Sequence, residues 1–311
     1  APCSMESVEI PMDRQNNQNR VSRCAMVSKG ALEHAGPLLV LIPGIRCRAG
    51  IWSRSLCITH SLDRGAMFEF LGVARAAGMA QIVLDPNGGA DPDDGELHAR
   101  HCVHAWRHLV LASAAQELFV VAHSFAGASL IDMLASMPEE SLHRVRGIAF
   151  TDSVHHVGPG CLQLSDGGLP HAASVVLRER AVMWLADDSP VDTELWAFNE
   201  DRGCRCVSAG VNEHASTNSF ACRSIFELFS SQARVRFPLI FDNASRVNTM
   251  VKRLAISDDA AHMQRIFEEW DADGDGRISV EDLSFVLREL CPSLTFESLT
   301  DLFNGMDANK D

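Results

Sequence analysis

Short runs of consecutive apolar residues recur along the first two-thirds of the chain, and stretches with helical spacing separate them. Leu38-Leu-Val-Leu-Ile42 runs into Pro43-Gly44, and Gln81-Ile-Val-Leu84 ends at Asp85-Pro-Asn-Gly-Gly89. Leu118-Phe-Val-Val-Ala122, Gly147-Ile-Ala-Phe-Thr151, Ala181-Val-Met-Trp-Leu185 and Cys206-Val-Ser-Ala209 follow the same pattern. Unbroken apolar strands of this length suit a sheet buried on both faces. Between them, Leu62 to Ala77 predicts a helix that stops at Gly78. Asp93 or Asp94 caps a second helix running to about Ala115, and a third starts at Ala126 and stops before Pro138. The alternation predicts an α/β fold with a mostly parallel sheet and helices on both faces.

Residues 1–23 are polar and patternless and are expected to form a disordered tail, with the α/β domain over 24–242. A linker is expected over 243–257, followed by a small all-α module over 258–311. Charge supports the division. The chain of 311 residues carries a net charge of -14. Its segment from Asp258 to Asp311 holds fourteen acidic and four basic residues, hence ten of those net negative charges. Such a balance disfavours direct binding to nucleic-acid backbones. At 46% hydrophobic and 22% charged the composition is that of an ordinary globular chain, and no apolar run approaches the roughly 20 residues of a membrane helix. Ten cysteines in a chain of this length are too dilute for a disulfide scaffold, which points to reduced thiols in the cytoplasm or nucleus. The chain opens on Ala1 and ends inside a motif at Asp311, so it reads as a fragment.

One strand end carries chemistry. Phe119-Val-Val-Ala-His-Ser124-Phe-Ala-Gly127 is an apolar strand, a serine, then small residues opening a helix. A serine on a sharp strand-to-helix turn projects its hydroxyl above the sheet, and its neighbours must be small because backbone meets backbone there. Ala122 and Ala126 stand where glycines are usual, and Gly127 comes one position later. Acid and base candidates follow in the order Ser, Asp, His: Asp152 at the end of one strand, Asp192 after the next, and His214 just beyond the last. Asp152 is favoured over Asp192 because a strand fixes its position. The oxyanion amides would come from the Gly44 loop and Phe125. Residues 156–180 are expected to cap the site. His98, His101, His104 and His108 share one helix and are expected to form a polar face rather than a metal site.

A set of pieces in order carries a family resemblance. Leu38 to Gly44, Arg48-Ala-Gly-Ile-Trp52, Ser61-Leu-Asp63, Val83-Leu-Asp-Pro-Asn87, Val121-Ala-His-Ser124, Thr151-Asp-Ser-Val-His155, Pro190-Val-Asp-Thr193 and Val207 to His214 resemble the argonaute-binding-protein-two domain. His101, Trp106 and His108 also fit that family's helix before the nucleophile strand. The resemblance spans roughly Cys24 to Ser231. It implies an α/β-hydrolase-like fold and a place among cotranscriptional regulators tied to small-RNA silencing and splicing control. Pro43-Gly44-Ile45-Arg46 departs from the family's His-Gly-Ser-Gly, and Phe125-Ala126 stands where the family tends to have Tyr-Gly. Two readings stay open. One is a serine hydrolase of ester, thioester or amide bonds. The other is a catalytically silent scaffold for protein partners, argonaute-type silencing factors among them, with calcium as modulator. Neither reading involves a membrane.

The acidic tail has its own motif. From Asp271 to Asp282, Asp271, Asp273 and Asp275 put carboxylates at loop positions 1, 3 and 5, and Gly276 makes the sharp turn. Arg277 offers its carbonyl, Ser279 can hold a water, and Asp282 closes the loop where glutamate is usual. Met263, Phe267 and Trp270 before the loop, and Leu283 and Leu287 after it, form helical apolar stripes. The segment resembles an EF-hand for Ca²⁺, with Mg²⁺ a second cation for the same loop. Asp307, Asn309 and Asp311 begin a second loop that stops at its fifth position.

Overall fold

The computed structural model describes residues 5–10, 24–89, 91, 93–157 and 169–237. All belong to the first of two units into which the chain divides, 1–240 and 241–311. The expected linker over 243–257, the calcium loop and the partial second loop lie outside the described residues.

An eight-stranded sheet organises the first unit. Its strands are β1 (Met5–Glu9), β2 (Cys24–Ser28), β3 (Pro37–Ile42), β4 (Ala80–Leu84), β5 (Glu117–His123), β6 (Val145–Thr151), β7 (Ala181–Leu185) and β8 (Arg205–Ser208). They lie side by side as β1-β2-β4-β3-β5-β6-β7-β8. β2 is antiparallel to both β1 and β4, and every later pairing is parallel. β3, β4 and β5 were legible as apolar runs because both their faces are covered; every residue of β5 is buried.

The helices are α1 (Arg54–Thr59), α2 (Leu62–Gly65), α3 (Phe68–Ala76), α4 (Gly95–Ala105), α5 (Ala126–Ser136), α6 (Glu139–Leu142), α7 (His171–Arg180), α8 (Asn199–Arg202) and α9 (Thr217–Gln232). On one face of the sheet, Val40, Ile82, Val120 and Phe150 join Trp106, Leu130 and Leu177 of the α4, α5 and α7 side in one buried cluster. On the other, Phe119 meets Phe229 of α9 at a ring separation of 5.0 Å, and Phe70 of α3 meets Phe226 at 5.8 Å. This is the two-faced coverage that the alternation predicts.

Four expectations need correction. Met5–Glu9 is an edge strand rather than part of a tail; its largely exposed face gives it no apolar pattern to read. The helix expected over Leu62 to Ala77 is broken in two. The Gly65 carbonyl accepts from the amides of Trp52 (2.8 Å) and Ser53 (3.0 Å), which diverts it from the helical ladder, and α3 starts afresh after Met67. The helix capped by Asp94 ends near Val110 in a wide turn closed by Leu111 N–H to the Trp106 carbonyl, not at Ala115. Within 156–180, α7 packs on β6 and β7 as their crossover rather than capping the site, while 158–168 lie outside the described residues.

Candidate active site

Ser124 follows β5 directly and has φ +56, in the left-handed region that non-glycine residues seldom occupy. Backbone bonds hold it there. Its amide donates to the Thr151 carbonyl (3.0 Å), and its own carbonyl accepts from Gly127 (3.2 Å) and Val154 (3.3 Å). α5 then departs at once, as the small residues predict. Gly127 does the work of the missing glycine two residues after the serine. A Cβ at Gly127 would lie 1.7 Å from Ser153 Oγ, so only glycine lets α5 start this close to the end of β6.

Asp152 leaves β6 with φ +42. Its Oδ1 accepts from the Ala186 amide (3.0 Å) and its Oδ2 from Nδ1 of His214 (2.6 Å). A carboxylate can only accept here, so His214 carries its proton on Nδ1 and keeps Nε2 as a base. Burial acts to raise the Asp152 carboxyl, but the His214 and Ala186 hydrogen bonds outweigh it and hold the group below the usual carboxylate range. His214 opens a short turn after β8 and stacks on His123, the residue before Ser124, at a ring separation of 4.8 Å. That stack brings the Asp152–His214 pair to the serine turn. Asp192 is committed elsewhere: its carboxylate accepts from Trp184 Nε1 (2.8 Å) and Ser224 Oγ (2.6 Å).

Gly44 lies against Ser124. A Cβ on it would come 3.1 Å from Ser124 Cβ and 3.6 Å from Ser124 Oγ. The loop beginning at Gly44 is fixed by groups from two of the pieces that carry the family resemblance. Asn87 Nδ2 donates to the carbonyls of Gly44 (2.9 Å) and Cys47 (2.6 Å). Arg48 forks onto Asp85 through Nε (2.9 Å) and Nη2 (2.7 Å), and the Ala49 amide joins the same carboxylate (3.0 Å). Phe125 packs edge-on against His98 at 5.4 Å.

The expected polar histidine face is a further correction. His98 and His101 are buried, at 1% and 0% exposure. His98 bridges β3 and α5, with Nε2 donating to the Pro43 carbonyl (3.0 Å) and Nδ1 accepting from Ser129 (2.8 Å). Burial pushes its pKa down to about 4, so it stays neutral. His123 is buried likewise and pushed down to about 3, with Nδ1 donating to the Thr151 carbonyl. His155, the last residue of the Thr151–His155 piece, accepts from Ser153 Oγ (2.7 Å) behind the elbow. Among the described residues no cluster of three or more His, Cys, Asp or Glu could hold a metal.

Strand order, the strained serine after the fifth strand and the Asp–His pair beyond later strands decide the architecture. This is an α/β-hydrolase fold. Residues 262–292 match the EF-hand domain family model. The cotranscriptional regulator ARB2A homolog of Gallus gallus is 25% identical, over 80% of this chain and 71% of that protein. Two solved structures match at low identity. The histone deacetylase Clr3 has a TM-score of 0.46 at 13% identity, covering 72% of this chain and 36% of that one. Est1E from Butyrivibrio proteoclasticus has a TM-score of 0.44 at 11% identity, covering 73% and 98%. None of the described helices is long and apolar enough to cross a membrane.

Proposed function

We propose that Ser124, His214 and Asp152 form a hydrolytic triad acting on ester, thioester or amide bonds, and that residues 258–311 bind calcium. The 2.6 Å bond between His214 Nδ1 and Asp152 is the observation that carries the first part, because it fixes the tautomer a general base needs. His214 Nε2 takes the Ser124 proton as Oγ attacks the carbonyl carbon. Amides at Phe125 and in the Gly44 loop receive the negative charge on the carbonyl oxygen. The carbon–heteroatom bond then breaks, and His214 returns the proton to the leaving group. Water repeats the sequence to free the acid and restore Ser124. Turnover of a small-ester panel by the wild-type chain, absent from His214→Ala, is the test.

The acidic loop suits a hard cation: Asp271, Asp273, Asp275 and Asp282 supply carboxylates, and Arg277 and Ser279 supply a carbonyl and a water position. Bound calcium would neutralise these mutually repelling carboxylates and set the angle of the flanking helices.

A second reading rests on the relatives named cotranscriptional regulators. In it the hydrolase fold is a scaffold for protein partners in the cytoplasm or nucleus, silencing factors of the argonaute type among them. Capture of the same partners by wild type and by Ser124→Ala, with no turnover by either, would favour it.

A further inference from the structure

Arg64, the third residue of α2, is 8% exposed, and neither its Nε nor its Nη2 has a hydrogen-bond partner. Taking a guanidinium out of water without partners is costly, so such a group marks a place where an opposite charge is still to be met. Burial is the larger influence on this group and lowers its pKa; the attraction of Glu213 offsets only part of that. Glu213 gives an oxygen to Ser216 Oγ rather than to Nε or Nη2 of Arg64. We propose that Arg64 binds a carboxylate on the substrate, so that the triad acts on esters, thioesters or amides whose acyl chain ends in an acid group. This narrows the hydrolase reading and rests on it.

The free edge selects the ligand. Nε–H and one Nη2–H point the same way along one side of a guanidinium, at the spacing of two carboxylate oxygens. The chain itself shows what that edge takes. Arg48 uses the same two nitrogens, Nε (2.9 Å) and Nη2 (2.7 Å), on the carboxylate of Asp85. At Arg64 the same fork is unused.

Position ties this edge to the triad. α2 packs against the short turn His214–Ser216 that carries the base. It is also joined to Trp52, whose amide donates to the Gly65 carbonyl (2.8 Å) and whose ring lies edge-on to His123, the residue before Ser124. Trp52 Nε1 and Asn218 Nδ2 are buried and without partners as well, and Asn218 Oδ1 accepts from Thr151 Oγ1 (2.8 Å) beside His123. These three spare groups around the His123–His214 stack are all donors, which suits an acceptor-rich acid group and opposes an ammonium. Both Arg64 nitrogens lie below the surface, beside helices of only six and four residues, so the acid group enters by a small shift of the α1–α2 segment.

Turnover of the mono-4-nitrophenyl esters of adipic and suberic acid by the full chain, set against the hexanoate and octanoate esters of the same lengths, tests the proposal. The acid esters should be preferred in kcat/KM by at least about tenfold. Arg64→Met should remove that preference, and Arg64→Lys, which keeps the charge but not the fork, should restore only part of it. The melting temperature of Arg64→Met should stay level or rise, because an apolar chain replaces an unpaired buried charge. Binding is read apart from turnover in Ser124→Ala, with the monomethyl esters of the same two acids against methyl hexanoate and octanoate, by ligand-detected NMR. A preference for the acid forms there, lost with Arg64→Met, would keep the carboxylate site even if no ester is turned over and the triad reading falls. Equal turnover of acid and neutral esters would overturn the substrate class. Equal binding of the two, a preference that survives Arg64→Met, or a lower melting temperature in that variant would each overturn the site.

Discussion

His214 and Asp152, 62 residues apart in the chain, meet in a 2.6 Å hydrogen bond at the carboxyl ends of the strands, while Asp192 spends both its oxygens on Trp184 and Ser224. The two carboxylates should therefore separate cleanly by mutation. Asp152→Asn should slow ester turnover by about 10⁴, because the amide no longer holds His214 in the working tautomer. Asp192→Ala should leave turnover near wild type but cost about 1–2 kcal/mol by denaturant titration, since the buried Trp184 N–H loses its acceptor. Equal loss of turnover in both variants would contradict the assignment.

Acid lability is expected from three buried imidazoles. His98, His123 and His155 are 1%, 3% and 0% exposed. Unfolded, each takes a proton near 6.5; folded, burial holds them neutral down to about 4, about 3 and about 4. Between those limits the unfolded chain binds more protons. Stability therefore rises with pH and is lost as pH falls below 6.5, with a slope approaching about 4 kcal/mol per unit around pH 5. Urea titrations at pH 7, 6 and 5 measure it. A flat profile would mean that these rings are not buried neutral.

The elbow should be intolerant of a single methyl group. Gly127→Ala drives a Cβ into Ser153 Oγ and breaks the Ser153–His155 contact, so a loss of about 2–3 kcal/mol is expected. Gly44→Ala is milder in packing but crowds Ser124 at 3.1 Å, and should lower turnover by at least about tenfold while the melting temperature changes little. Thermal melts beside rate measurements tell the two effects apart.

Much of this fold was legible because β3 to β8 are apolar runs with both faces covered. β1 and β2 were not, since the edge strand β1 buries none of its residues fully and its antiparallel neighbour β2 buries only alternate ones, Ala25 and Val27. The break between α2 and α3 depends on the Gly65 carbonyl meeting Trp52 and Ser53, a tertiary contact with no local signature. At the site, Ser124, Asp152 and His214 could be named from strand ends and chain order. Asn87, which ties down the Gly44 loop, could not be named that way. Neither could His98, which looks polar by composition and serves as a buried strut. Long-range hydrogen bonds leave no spacing to count.

Calcium should be taken up by the full chain with an affinity of roughly 10⁻⁶ to 10⁻⁴ M, weakened by the short Asp282 at the closing position. Trp270 stands one residue before the first ligand, so its emission should change on binding. Asp271→Ala should abolish both the heat and the fluorescence change. An unchanged response in that variant would remove the loop from consideration.

The central claim is that Ser124 is an activated nucleophile, and intact-protein mass spectrometry after treatment with a fluorophosphonate reads this directly. One adduct per chain, mapped to the peptide containing Ser124 and absent from Ser124→Ala, is the predicted result. A wild-type chain that stays unmodified, or an adduct that persists in Ser124→Ala, would contradict it.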